Sequence, residues 1–192
     1  MITDAFKEIL DLKKALVEAG IPVEEWGTGK AKTINHLFDE INAGECTLVR
    51  QEGKLIRTLR SLAINVFYRT PAGNRIILVE DKQVFTDGRV RQRSLESSLG
   101  EKLVPSEIPE HVVRRTILKE LGIEGVFGFT AERPWTKGPV VSLSYPGLET
   151  FYQFFAFSVD LPDEFYRPEG YVEIQRDKTT YFVWKEQLEP PM

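Results

Sequence analysis

The stretch from Leu99 to Ile123, LGEKLVPSEIPEHVVRRTILKELGI, constrains the fold more than any other part of the chain. A strand-rich region leads into it, a loop carrying Pro105 and Ser106 follows, and an amphipathic segment then runs to a glycine. Val113, Ile117 and Leu121 recur every four residues, which predicts a helix over Glu107–Leu121 with one apolar stripe. Gly122 supplies a left-handed stop, and the next strand is expected at once, over Glu124–Thr130. Strand, loop, helix and strand joined this tightly point to an α/β unit whose helix buries its stripe against the sheet.

The rest of the chain supplies that sheet. Thr47–Gln51, the Glu52-Gly53 turn and Lys54–Arg60 alternate as a hairpin. Ser61–Thr70, the turn Pro71-Ala72-Gly73-Asn74 and Arg75–Asp81 alternate as a second one. Their runs AINVFY and RIILVE are apolar enough for strands covered on both faces. Gln83–Arg93 is expected to be extended, with Asp87-Gly88 as a turn, and Phe151–Val159 and Thr179–Trp184 are further strands. Ala131–Thr150 and Asp160–Arg176, rich in Pro, Gly and aromatics, are expected as long loops of the kind that carry function.

Two helices are expected ahead of the sheet. The first spans Asp4–Ala19, with Thr3 as its cap and Gly20 as its stop. The second spans Lys32–Ala43, where Ile34, Leu37, Phe38 and Ile41 share a face and Gly44 follows. Both need a partner surface, and contact of Leu37 or Phe38 with the sheet would supply it.

Composition narrows the function classes. Lysine and arginine total 25 against 29 acidic residues, a formal net charge of −4, so bulk charge gives no support for nucleic-acid binding. Cys46 has no partner for an intrachain disulfide and no neighbouring His or Cys for a zinc site. The first twenty residues mix acids and bases and do not form a signal peptide. No apolar run approaches the roughly 20 residues that span a bilayer. A soluble cytoplasmic protein is therefore expected.

Within the organising stretch, Glu107, seven residues, Arg115, then Ile117, Glu120, Gly122 and Ile123 stand at a spacing that resembles the Nudix box. That pattern is a Gly, five residues, Glu, seven residues, then Arg-Glu-apolar-x-Glu-Glu-x-Gly-apolar. The resemblance, to the MutT-like Nudix hydrolases, covers roughly Ser61–Gln187. It implies an α/β/α sandwich with a mixed sheet, here a domain over residues 61–192, preceded by a helical and hairpin extension over residues 1–60. It also implies binding or hydrolysis of a nucleoside diphosphate-linked, phosphorylated ligand, with Mg²⁺ as cofactor. Carried over, the family's metal ligands fall on Thr116, Lys119 and Glu120, of which only Glu120 keeps a carboxylate. Glu107 takes the position that supports the loop and sometimes joins the metal shell. The resemblance thus assigns catalysis and metal binding to Glu120 and Glu107, and to Arg115 the tie between loop and helix.

Six residues, not five, separate Gly100 from Glu107, and Lys119 would repel a cation. Hydrolase activity is therefore expected to be weak or altered, and the alternative is a non-catalytic ligand-binding or protein-interaction module on the same scaffold. Arg89, Arg91 and Arg93 alternate, so an extended segment would place all three guanidinium groups on one face, where with Arg115 they could grip a diphosphate. A solvated strand edge is the competing explanation of that row. Trp135 is the candidate for stacking on a planar ligand, with Tyr145 and Tyr152 beside it, although packing of the loops explains these aromatics too. The expected partner is a phosphorylated small molecule or nucleotide, with neither membrane nor nucleic acid; a homodimer stays open.

Overall fold

The computed structural model describes residues 2–4, 6–92 and 97–186. Along the chain lie β1 (Ile2–Asp4), α1 (Ile9–Glu18), α2 (Ile34–Asn42), β2 (Thr47–Gln51), β3 (Lys54–Arg69), β4 (Arg75–Phe85) and β5 (Val90–Arg91). β6 (Leu99–Leu103), α3 (Pro109–Leu121), β7 (Phe129–Ala131), β8 (Trp135–Ser142), β9 (Tyr145–Asp160), β10 (Tyr171–Ile174) and β11 (Lys178–Glu186) follow. The fold is α/β, with a large mixed sheet, and the order of strand, loop, helix and strand is present as β6, α3 and β7, although β7 begins only at Phe129 and not at the expected Glu124. No helix among the described residues is long and apolar enough to cross a membrane.

The chain divides into two compact units. One comprises Met1–Ser61, Lys102–Glu107 and Pro134–Phe154; the other comprises Leu62–Glu101, Ile108–Arg133 and Phe155–Met192.

In the first unit β1, β2 and the first half of β3 run antiparallel, with Thr47 opposite Thr58 and Leu48 opposite Arg57. Leu12, Leu16 and Leu37 from α1 and α2 are fully buried in one cluster with Leu48, Leu55, Leu59, Tyr145 and Leu148. The expected contact of Leu37 with sheet residues is therefore made. α2 begins at Ile34, two residues after the expected Lys32, because Thr33 caps it: the Thr33 hydroxyl accepts from the His36 backbone, and the His36 ring accepts from the Thr33 N–H at 3.2 Å. His36 is thus a capping residue.

Three expectations need correction. The first helix starts at Ile9, not Asp4, because Ile2, Thr3 and Asp4 pair with Arg50, Val49 and Leu48 as a strand. Thr3 is therefore no cap; ladder hydrogen bonds outweigh the weak helical preference of so short a segment. The expected break after Arg60 does not occur either, since β3 runs unbroken for 16 residues and Ser61 has no turn chemistry to stop it. Finally, Ala131–Thr150 is not a long loop but mostly the hairpin of β8 and β9, with Trp135 opposite Phe154 and Thr136 opposite Gln153. Gly138 and Pro139 hid its alternation. They sit where the register shifts, and a Cβ at Gly138 would lie 2.4 Å from the Thr150 carbonyl oxygen.

The second unit is built on β4, β11 and β10, all antiparallel, with Thr180 opposite both Gln83 and Glu173. α3 packs on β10 and buries Val112, Val113, Ile117 and Leu121. Gly122 ends it in the left-handed conformation (φ +65°). The 160–176 stretch, expected as loop, contains the short strand β10.

A charged group lies inside the apolar cluster of the first unit. Glu40, 6% exposed, accepts from Arg57 Nη2 at 2.6 Å, while its other oxygen meets Lys32 and Lys102, each at 2.7 Å. Burial raises the Glu40 pKa, but Lys102, Lys32 and Arg57 outweigh burial and hold it at about 2, well below the usual 4.5. The stability this gives is present above pH 4.5 and is lost as pH falls towards 2. Glu40→Gln strands Arg57 in the core and is expected to cost about 3–5 kcal/mol at neutral pH. Urea denaturation across pH should also show that the variant loses much less stability than the native chain between pH 4.5 and 2. Parallel pH profiles for the two proteins would contradict this assignment.

Candidate functional site

The Nudix-like box is split between the units, and each part has a definite local structure. In the first unit Glu107 closes the turn after β6. Its backbone N–H donates to the Val104 carbonyl at 3.0 Å, and its carboxylate accepts from the Val104 N–H at 3.0 Å. Arg60 Nη1 reaches the carbonyls of Val104, Pro105 and Glu107 at 3.2, 3.1 and 3.4 Å. This guanidinium therefore pins the loop by its backbone carbonyls, alongside the Glu107 carboxylate. Arg60 is not among the residues singled out from the sequence. Its signal was a cation interrupting the apolar alternation of LIRTLRSLA.

Beside that loop, and wholly within the first unit, lies a pocket of about 390 Å³. Glu45, Thr47, Thr58, Arg60, Thr136, Phe151 and Gln153 line it, with Leu103 and Pro105 at the loop. The Thr47 and Thr58 hydroxyls meet across the strands at 2.7 Å, and Glu45 binds Lys102 Nζ at 2.7 Å. A volume of this size with a few polar groups on apolar walls is the usual build of a small-molecule site. Trp135 is 38% exposed and stacks on Phe154 with ring centroids 4.9 Å apart. It does not line the pocket. Tyr145 is fully buried in the core under the helices.

In the second unit α3 turns the box's chemical positions into structural ones. Thr116 is 0% exposed and donates its hydroxyl to the Val112 carbonyl one turn back, at 2.9 Å. Lys119 Nζ is 2.9 Å from Glu101 Oε2. Desolvation lowers the Lys119 pKa, but Glu101, Glu120 and Glu173 outweigh it and raise it above the ordinary lysine value. Glu120 lies half-buried on the same helix. Arg115 is exposed. The neighbouring Arg114 makes the ties to the segment after the helix, donating to the Phe127 and Gly125 carbonyls at 3.0 and 3.4 Å with its guanidinium over the Phe127 ring.

Two of the three arginines of the row lie among the described residues. Arg89 closes the Asp87-Gly88 turn and pairs with Asp87 at 2.7 Å, and only Val90 and Arg91 are strand, with Arg91 opposite Gln83. Arg93 lies outside the described residues.

The residues on α3 do not fit the divalent ion that the box implies. Thr116 has spent its hydroxyl on the helix, Lys119 brings a positive charge, and among the described residues no three His, Cys, Asp or Glu side chains are grouped to hold a metal.

No protein-family model matches the chain, and no curated protein is significantly similar to it. Similar solved structures include an Ap4A hydrolase of C. elegans, 12% identical over 67% of this chain and 80% of that one, with a TM-score of 0.38. The Nudix domain of Shewanella oneidensis NrtR, complexed with ADP ribose, is 10% identical over 67% and 73%, with a TM-score of 0.43. A Nudix hydrolase of M. smegmatis, RenU, is 14% identical over 60% and 68%, with a TM-score of 0.33.

The burial of Thr116 has a direct consequence. Thr116→Glu, which puts an acid where the resembled pattern has one, must bury a carboxylate against the core and is expected to lower stability by about 2–4 kcal/mol. Chemical denaturation checks it, and a neutral effect would show that this face of α3 is open.

Proposed function

We propose that this chain is a Nudix-like domain that binds a nucleoside diphosphate-linked or otherwise phosphorylated small molecule, without metal-dependent cleavage at its box. The pocket of the first unit carries this reading. It stands beside the pinned Glu107 loop and offers hydroxyl, amide, guanidinium and aromatic groups within about 390 Å³. The box frame supports the family assignment: Glu107 closes the loop, Ile117 and Leu121 form the stripe, and Gly122 ends the helix. What separates the reading from an active Nudix-type hydrolase, with Glu120 and Glu107 on Mg²⁺, is that Lys119 and Thr116 cannot contribute to such a shell.

Without a metal, the work of this site is recognition. Thr58, Thr136 and Gln153 supply hydrogen bonds to the ligand's polar edges, Phe151 gives an apolar wall, and Arg60 keeps the loop in place. Arg89, Arg91 and Arg115 of the second unit form the second proposed set, an anion grip; Trp135 of the first unit is proposed by itself as a stacking surface.

ADP-ribose and Ap4A, taken from the names of the similar structures, are the first probes. In isothermal titration, Thr58→Val and Gln153→Ala are each expected to weaken binding by about 1–2 kcal/mol with little change in folding. Arg91→Ala separates the two sets: a loss of about 1–3 kcal/mol there, with unchanged pocket variants, would place the ligand on the arginine segment instead. Incubation with Mg²⁺ should leave both probes intact. Turnover that disappears in Glu120→Gln would establish the hydrolase.

A further inference from the structure

The hairpin of β8 and β9 has two faces, and one of them meets the pocket of the first unit. Side chains alternate along a strand, so Trp135 shares a face with Phe154 and Tyr152, ring stacked on ring at 4.9 and 5.6 Å. Thr136, opposite Gln153, belongs to the other face together with Phe151, and these three line the pocket. A further polar wall comes from Thr47 and Thr58, whose hydroxyls meet across β2 and β3 at 2.7 Å. One proton lies between those two oxygens, so the pair keeps one O–H to donate and lone pairs to accept.

The charges of the lining decide which part of a ligand can enter. Among the described residues that line the pocket, the charged side chains are Arg60 and Glu45. Arg60 turns Nη1 to three carbonyls of the loop, and Glu45 binds Lys102, a cation that Glu40 also holds at 2.7 Å. One cation and one anion cancel, so the lining offers no surplus of positive charge. A phosphate leaving water needs that surplus, and beside Glu45 it meets repulsion instead. An uncharged ring has no such need. A glutamine amide pairs donor and acceptor with the edge of a nucleobase, bidentate on adenine, and a phenyl ring packs against its face. The volume of about 390 Å³ is near the lower end for small-molecule sites, which suits one end of a dinucleotide-sized ligand rather than the whole.

We propose that this pocket is a nucleobase subsite: it takes the uncharged ring of the ligand, read by Gln153 and the Thr47–Thr58 pair against Phe151, and leaves the phosphates outside. Glu45 then excludes phosphate from the cavity without recognising the ring. The inference rests on the binding role proposed above and adds which part of the ligand the pocket holds. Nucleosides and pyrophosphate separate the two parts, so this assignment can fail while the binding role stands.

The test is isothermal titration of the full chain with adenosine, guanosine, cytidine and uridine, followed by competition with inorganic pyrophosphate. At least one nucleoside should bind the native chain, and Gln153→Ala should weaken it by about fivefold or more. Excess pyrophosphate should not displace it. Glu45→Gln, which removes the carboxylate from the lining, should leave the nucleoside affinity within about twofold and let pyrophosphate compete. Pyrophosphate that displaces the nucleoside from the native chain overturns the proposal, and so does ADP-ribose binding without binding of any nucleoside. In both cases the chain still binds a phosphorylated ligand. A nucleoside whose affinity is unchanged in folded Gln153→Ala sits elsewhere and also overturns it. If neither ADP-ribose nor any nucleoside binds, the binding role falls with it. The pyrophosphate competition needs the native chain alone, so it decides the matter even if a variant does not fold.

Discussion

The first unit is organised around the contact between Glu40 and Arg57. A carboxylate and a guanidinium, each nearly inaccessible to water, meet at 2.6 Å inside a cluster of leucines. Such a pair gains little over an apolar packing of the same volume, but it is very sensitive to loss of either member. Its consequence here is positional. Arg57 fixes α2 over β3, and three residues further along the same strand Arg60 fixes the loop after β6. The pocket lies between these two anchors, lined by Thr58 from β3 and by Glu45 and Cys46 just after α2. Its shape is therefore set by ionic and backbone contacts rather than by a bound ligand.

In the second unit the same economy of charge works on α3. Ile117, Leu121 and Gly122 are what a helix needs to pack on this sheet and stop. Thr116 is a core residue bonded to its own helix, and Lys119 is a partner for Glu101. Among the described residues no metal-ready cluster is present.

Much of the fold was legible in the sequence, and the failures have physical causes. The hairpin of β2 and β3 and the stop at Gly122 were marked by local chemistry and lie where expected. β1 was not legible because it is held by pairing with β2 and not by its own propensity. The β8–β9 hairpin was hidden by its glycine and proline at a register shift. At the site the outcome is similar. The box could be read because it is contiguous, whereas the pocket draws Thr58, Thr136 and Gln153 from three strands and leaves no linear trace.

The ligand binding proposed for the first unit's pocket does not depend on metal. Its most direct test is the affinity of the native chain for ADP-ribose, measured by titration calorimetry once in EDTA and once in saturating Mg²⁺. Metal-independent recognition predicts the same dissociation constant in both buffers. Binding that tightens by about tenfold or more with Mg²⁺, a gain of about 1.4 kcal/mol, would contradict it.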